Sequence, residues 1–142
     1  MIGRVWLLLL CGVLMLWQPL NFAAEASASI TTLGMRGVFG AVELVVHGAV
    51  AALSVAAGWA LWQSNPGGPK LARVAVIAIA VVGVQSLYKT ALPNDVFPAD
   101  RLPLAILTVA HSAAWLVYLW RSARIHALEH PAPVTPSIRL SR

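Results

Sequence analysis

Charge is scarce in this chain: only 11% of its 142 residues are Asp, Glu, Lys or Arg, ten basic against five acidic. A water-soluble domain usually carries about 25%, and so few charges cannot clothe a solvated surface. A soluble enzyme is thereby excluded. Cysteine is nearly absent, and the single Cys11 sits in an apolar run, which excludes a disulfide scaffold and any cysteine-rich metal cluster. No HExxH, CxxC, Gly-rich phosphate loop or GxSxG elbow occurs, so the common signatures of metal, redox, nucleotide and acyl-transfer chemistry are missing. The length holds one domain.

What the chain has is apolar sequence: 59% of residues are hydrophobic and the mean hydropathy is +0.78. A helix needs about 20 apolar residues to span a bilayer. Stretches at about 5–24, 37–62, 70–92 and 102–120 meet that need. β-Branching at Val74, Val76, Ile77, Ile79, Val81 and Val82 does not make a strand here, because an isolated strand in lipid leaves its backbone groups unpaired. The expected fold is an all-α integral membrane protein, a four-transmembrane-helix bundle over residues 1–128 with a proline-spaced tail at 129–142. The first stretch also has the parts of a secretory signal, namely Arg4, an apolar core from Val5 to Trp17, and small residues at Ala24, Ala26 and Ala28. It is expected to be retained as the first span.

Turn chemistry marks the connections. Ser64-Asn65-Pro66-Gly67-Gly68-Pro69 predicts a tight link and antiparallel neighbours for spans two and three. Asp100 is placed to cap the fourth helix, with Pro103 tolerated in its first turn. The tail, with Pro131, Pro133 and Pro136, has little to bury and is expected to be extended and available to a partner.

The net charge of +5 does not point to nucleic acid, because the basic residues lie in short groups at the ends of apolar runs. One side collects Arg4, Lys70, Arg73, Arg121, Arg124, Arg139 and Arg142, and the other Arg36, Lys89 and Arg101. The positive-inside bias puts both termini in the cytoplasm, N-in and C-in. Glu25, Asp95 and Asp100 fall on the less basic side. Trp6, Trp59, Trp62, Tyr118 and Trp120 are placed for a cytoplasmic aromatic belt, and Trp17, Phe22, Phe39 and Tyr88 for a looser outer one.

Ionisable groups at membrane depth are expensive and mark functional sites by default. His47 lies roughly 16 Å below Arg36 and His111 roughly 15 Å below Arg101 at 1.5 Å per residue, so the two imidazoles share a depth. Glu43 precedes His47 by one helical turn on the same face. Gln85 approaches from span three, and Thr108, His111, Ser112 and Trp115 form a polar stripe on span four. One reading has Glu43, His47, Gln85, Thr108 and His111 hydrogen-bonding across helices to fix their register, supported by the small-residue row Gly40, Gly48, Ala52, Ala56 and Ala60. Another gives His47 and His111 to a b-type haem as axial ligands, with Arg36 and Arg101 near the propionates; Glu43 counts against it as a carboxylate beside an apolar cofactor. A proton relay or quinone head-group site through Glu43, His47 and His111 is a third, and a metal held by two histidines and one glutamate a fourth. Ser54 and Ser86 are expected to bond their own backbone carbonyls, and Cys11 to pack as a small apolar side chain.

Trp6-Leu7-Leu8-Leu9-Leu10 leading to Gln18-Pro19-Leu20, and the close Trp115-Leu116-Val117-Tyr118-Leu119-Trp120-Arg121-Ser122-Ala123-Arg124-Ile125, resemble the small four-span bacterial membrane proteins classed as domain-of-unknown-function family 2569. The likeness runs from about Arg4 to Leu128, with the family's glycine pair before the first Trp reduced to Gly3-Arg4-Val5. It implies a bacterial inner-membrane protein with four helices and transfers no catalytic residue. The chain is accordingly read as a non-catalytic accessory or structural subunit in the lipid bilayer, without a cofactor, among other membrane-protein subunits. The haem b or quinone and proton-handling subunit is the alternative.

Overall fold

The computed structural model describes residues 2–30, 33–88, 97–122 and 125–127, and among them there is no strand. The helices are α1 (Ile2–Gly12), a π-helical turn Val13–Trp17, α2 (Gln18–Ile30), α3 (Leu33–Trp62), α4 (Gly68–Tyr88) and, after a 3-10 turn at Pro98–Asp100, α5 (Arg101–Arg121). Among the described residues, four segments are long and apolar enough to cross a membrane: Val5–Ser29, Gly37–Trp62, Gly68–Tyr88 and Arg101–Arg121. The second and fourth agree with expectation to within a residue. The first does not end near Ala24: Ser29 donates its hydroxyl to the Glu25 carbonyl at 2.6 Å, so the polar stretch at its end satisfies itself within the helix and the helix continues. The expected close of the third span, Lys89, Asp95, Arg124 and the tail at 129–142 lie outside the described residues.

The first span is bent into register by its π turn. On an uninterrupted helix at about 100° per residue, Leu7, Leu14, Gln18, Asn21 and Glu25 fall within about 40° of one line. Leu7, Leu10, Cys11 and Leu14 are indeed buried, yet beyond the turn the inward residues are Phe22, Ala26 and Ser29 while Asn21 and Glu25 are exposed. The turn accommodates one extra residue, which rotates everything after it by about 100° at this helical pitch. Its sequence cause is Pro19: proline has no N–H for the Met15 carbonyl and crowds it, and the Gln18 N–H reaches back to Val13 instead. Phe22, expected in an outer aromatic belt, therefore lies against Gly48, where an added Cβ would meet its ring at 3.1 Å.

Helix α3 is central. Gly37, at φ 63° and ψ −157°, breaks it at the start of its crossing segment. It packs against the first span on one side and α4 on the other, and α5 packs on α4. The Trp6 and Trp115 rings meet edge to face at 6.0 Å and bring spans one and four together. The buried core, Leu7, Leu10, Cys11, Leu14, Ala57, Leu61, Ala72, Ala75, Val76, Leu119 and Ile125, gathers at one end of the bundle, the end of Lys70, Arg73 and Arg121. There the Arg73 guanidinium donates to the Leu119 carbonyl at 3.2 Å, placing a cation at the α5 C-terminus where the helix dipole favours it. Beyond α5 the chain turns at Ser122, and Ile125 is fully buried under the bundle.

Close contact in α3 differs from the expected row. Gly40 is buried and Gly48 meets Phe22, but Ala52 and Ala56 are exposed, and the buried residues are Ala51, Ser54, Ala57, Gly58 and Leu61. Each step of four residues advances about 40° on the helix, so a row of fours from Gly40 to Ala60 winds off the contact face. At Gly58 an added Cβ would lie 2.5 Å from Met15 Cγ and 3.3 Å from Leu14 Cβ, so α3 approaches the π turn there.

The α3–α4 link is tight, as expected. The Asn65 N–H bonds the Ala60 carbonyl and the Ser64 N–H that of Leu61, both at 3.0 Å, a Schellman closure with Ser64 at φ 56° in the position glycine usually takes. Asn65 Oδ1 then accepts from the Gly67 N–H at 3.0 Å. Asp100 precedes α5 but makes no side-chain cap bond; its place in the 3-10 turn, with its N–H on the Phe97 carbonyl, differs from the extended backbone a capping residue adopts.

Gly58→Leu is expected to lower stability by about 1–3 kcal/mol through overpacking against Met15 and Leu14. Gly12→Ala, which meets nothing within 4 Å, should be neutral or stabilising. Unfolding of both variants in detergent would check the contrast, and equal stabilities would refute the close approach.

Candidate functional site

At the end of the bundle opposite the core, the helices diverge around a cavity of about 650 Å³. Every span contributes to it. The first gives Trp17, Gln18, Asn21, Phe22 and Glu25, α3 gives His47, Val50 and Ala51, α4 gives Ile79, Val82, Gly83 and Ser86, and α5 gives Leu107, Thr108, His111 and Ser112. The walls are apolar with polar groups placed singly, the usual make-up of a ligand pocket. Spans three and four approach closely at its wall, since a Cβ on Gly83 would sit 3.2 Å from Thr108 Cγ2.

The two histidines expected at one depth both line this chamber. Their chemistry is fixed by their neighbours. Nδ1 of His47 lies 2.9 Å from the Glu43 carbonyl, which only accepts, so Nδ1 carries a proton. Nε2 of His47 is then directed at Glu25 Oε2, 3.9 Å away; the imidazole is 12% exposed and the carboxylate 44%. His111 is set the other way: its Nε2 accepts the Trp115 indole N–H at 3.0 Å, so in the neutral ring the proton is on Nδ1. Trp115 is braced in turn, edge to face with Tyr118 at 6.0 Å as well as with Trp6.

Glu43 and Gln85 are elsewhere. With Phe39, Val42 and Val46 they line a second cavity of about 280 Å³, and His47 and Val82 line both. A residue one turn from His47 is displaced about 40° around the helix, and Glu43 lines the second cavity without reaching the first. Three of the residues expected to bond across helices bond within their own. His47 bonds the Glu43 carbonyl, Thr108 donates to Leu104 at 2.8 Å, and His111 pairs with Trp115, each within its own helix. Ser54 and Ser86 donate to Val50 and Gly83 as expected. In lipid the nearest carbonyl of the same helix is always within reach of a hydroxyl, and a partner helix is not. His47 and Glu25 do meet across helices.

Glu25 is absent from the sequence candidates, because a first span that closes at Ala24 stops one residue before it. A signal for it exists: Gln18, Asn21 and Glu25 recur at three and four residues and make one polar face. The π turn swings that face off the packed side and onto the chamber's flank. Among the described residues, no group of three or more His, Cys, Asp or Glu side chains is set to hold a metal ion, so the two-histidine, one-glutamate metal reading gains no support. No protein-family model, curated protein or solved structure matches this chain.

A double-mutant cycle on Glu25→Gln and His47→Gln is expected to return a coupling of about 0.5–1.5 kcal/mol, the range of polar contacts between membrane helices. Thermal unfolding in mild detergent measures it, and additive single effects would remove the pair from the account.

Proposed function

We propose that this protein is a multi-pass subunit of a bacterial inner membrane, non-catalytic, with both termini in the cytoplasm, that serves as an accessory component beside other membrane proteins. One observation carries the reading: His111 and Glu25, polar groups on segments apolar enough to cross a membrane, are exposed on the bundle. Such groups are costly against hydrocarbon, so the isolated bundle is incomplete at its chamber end and is completed by something that covers them. The resemblance to the four-span bacterial family agrees with the setting. The basic end, with Lys70, Arg73 and Arg121, is the end that positive-inside bias assigns to the cytoplasm. Exposed Trp59, Trp62 and Trp120 at that same end suit an interfacial belt.

The geometry favours this over a bis-histidine haem. Axial ligation takes a lone pair from each imidazole. His47 has the backbone-oriented Nδ1 that ligating histidines use, but the Nε2 lone pair of His111 is spent on Trp115.

Reporter fusions at the two termini should both read cytoplasmic, and a periplasmic signal from either would reverse the topology. In native membranes extracted by a nanodisc-forming polymer, the chain should run within a larger assembly. A lone monomer carrying no other protein would refute the accessory role.

A further inference from the structure

We propose that the chamber binds the head group of a lipid-soluble quinone or quinol, a flat ring bearing oxygens at opposite ends and an apolar tail. Three features of the site converge on that chemistry. The first is the gap between His47 Nε2 and Glu25 Oε2: at 3.9 Å it exceeds a hydrogen bond, yet one oxygen placed about 2.8 Å from both atoms spans it. A quinol hydroxyl in that place donates to one and accepts from the other when the pair holds a single proton. A quinone carbonyl accepts there from protonated His47. The second feature is His111, whose Nε2 is committed to Trp115, leaving Nδ1–H as a donor to a further oxygen of the ligand. The third is the wall: Trp17, Phe22, Ile79, Val82 and Leu107 supply aromatic and branched surface for a ring, and about 650 Å³ lies within the range of small-molecule sites.

The route in follows from exposure. Trp17, Asn21, Glu25, Leu107 and His111 are exposed while Ala51 and Ser112 are buried, so the chamber opens sideways at the level of the spans, where a molecule dissolved in the bilayer arrives. A fully charged ligand would not come by that path. The proposal concerns binding alone and includes no electron transfer. It deepens the accessory reading by naming what occupies the chamber, and the two fail separately: loss of binding leaves co-purification with other subunits untouched, and a monomer can still bind.

The test uses the full chain in phospholipid nanodiscs titrated with a benzoquinone carrying a ten-carbon tail, read by quenching of tryptophan fluorescence, with Trp17 in the chamber wall. A saturable component with one site per chain is expected above the linear collisional background. His111→Phe should weaken it about tenfold, and Glu25→Gln combined with His47→Gln by at least as much, in proteins whose helical content and elution match the parent. Absence of a saturable component, or one that these variants leave unchanged, overturns the proposal. So does a phospholipid retained at one per chain through purification that the quinone fails to displace, since the chamber is then a lipid site.

Discussion

The arrangement depends on one extra residue in the first span. The π turn at Val13–Trp17 gives up α-helical bonding over a single turn, and Pro19 makes that loss cheap by having no N–H to offer the Met15 carbonyl. Without it, the leucine stripe Leu7–Leu10–Leu14 would run straight on into Gln18, Asn21 and Glu25, and α3 would have to pack against amides and a carboxylate. With it, Phe22 and Ser29 take the inward positions and the polar face moves to the side, where the chamber lies. The approach of Gly58 to Met15 fits the same logic: the wider turn is accommodated by a partner helix with no side chain at that point.

The bundle is divided by what its helices carry. At the basic end, Leu, Ala and Val from all four spans close over one another, Arg73 ties α4 to the last carbonyls of α5, and Ile125 seals the base. At the other end the small and polar residues leave space. Helix association in lipid has little hydrophobic driving force and relies on close packing, so the tight end supplies cohesion and the open end is free of that duty. Such a division lets one end hold the fold while the other holds a guest.

Sequence reading located the spans because apolar length is a constraint of the solvent, needing no knowledge of partners. It placed the α3–α4 link because Asn, Pro and Gly act through their own backbone preferences. Rise per residue alone sets His47 and His111 at similar distances along their helices, and both line one chamber. What failed were statements about azimuth and about the close of the first span. The row from Gly40 to Ala60 winds off the contact face, and the first span runs past Ala24 to take in Glu25. The drift of the row is angular, about 40° per turn, and rotation about an axis is set by packing that sequence spacing does not contain.

The histidines show why depth and azimuth must be read together. In the neutral form the tautomer of each ring is set locally, His47 by a carbonyl and His111 by an indole. These two bonds point in opposite chemical senses: one leaves an acceptor nitrogen toward the chamber, the other leaves a donor. A pair that merely stitched helices together would bond to each other or to a facing helix, satisfying both ends at once. Here each ring is held by its own helix through one nitrogen, and the second nitrogen of His47 stands 3.9 Å from Glu25 Oε2, longer than a hydrogen bond. That spare valence, carried at membrane depth where it is costly to leave unused, is the strongest physical reason to regard the chamber as a binding site and not as a packing defect.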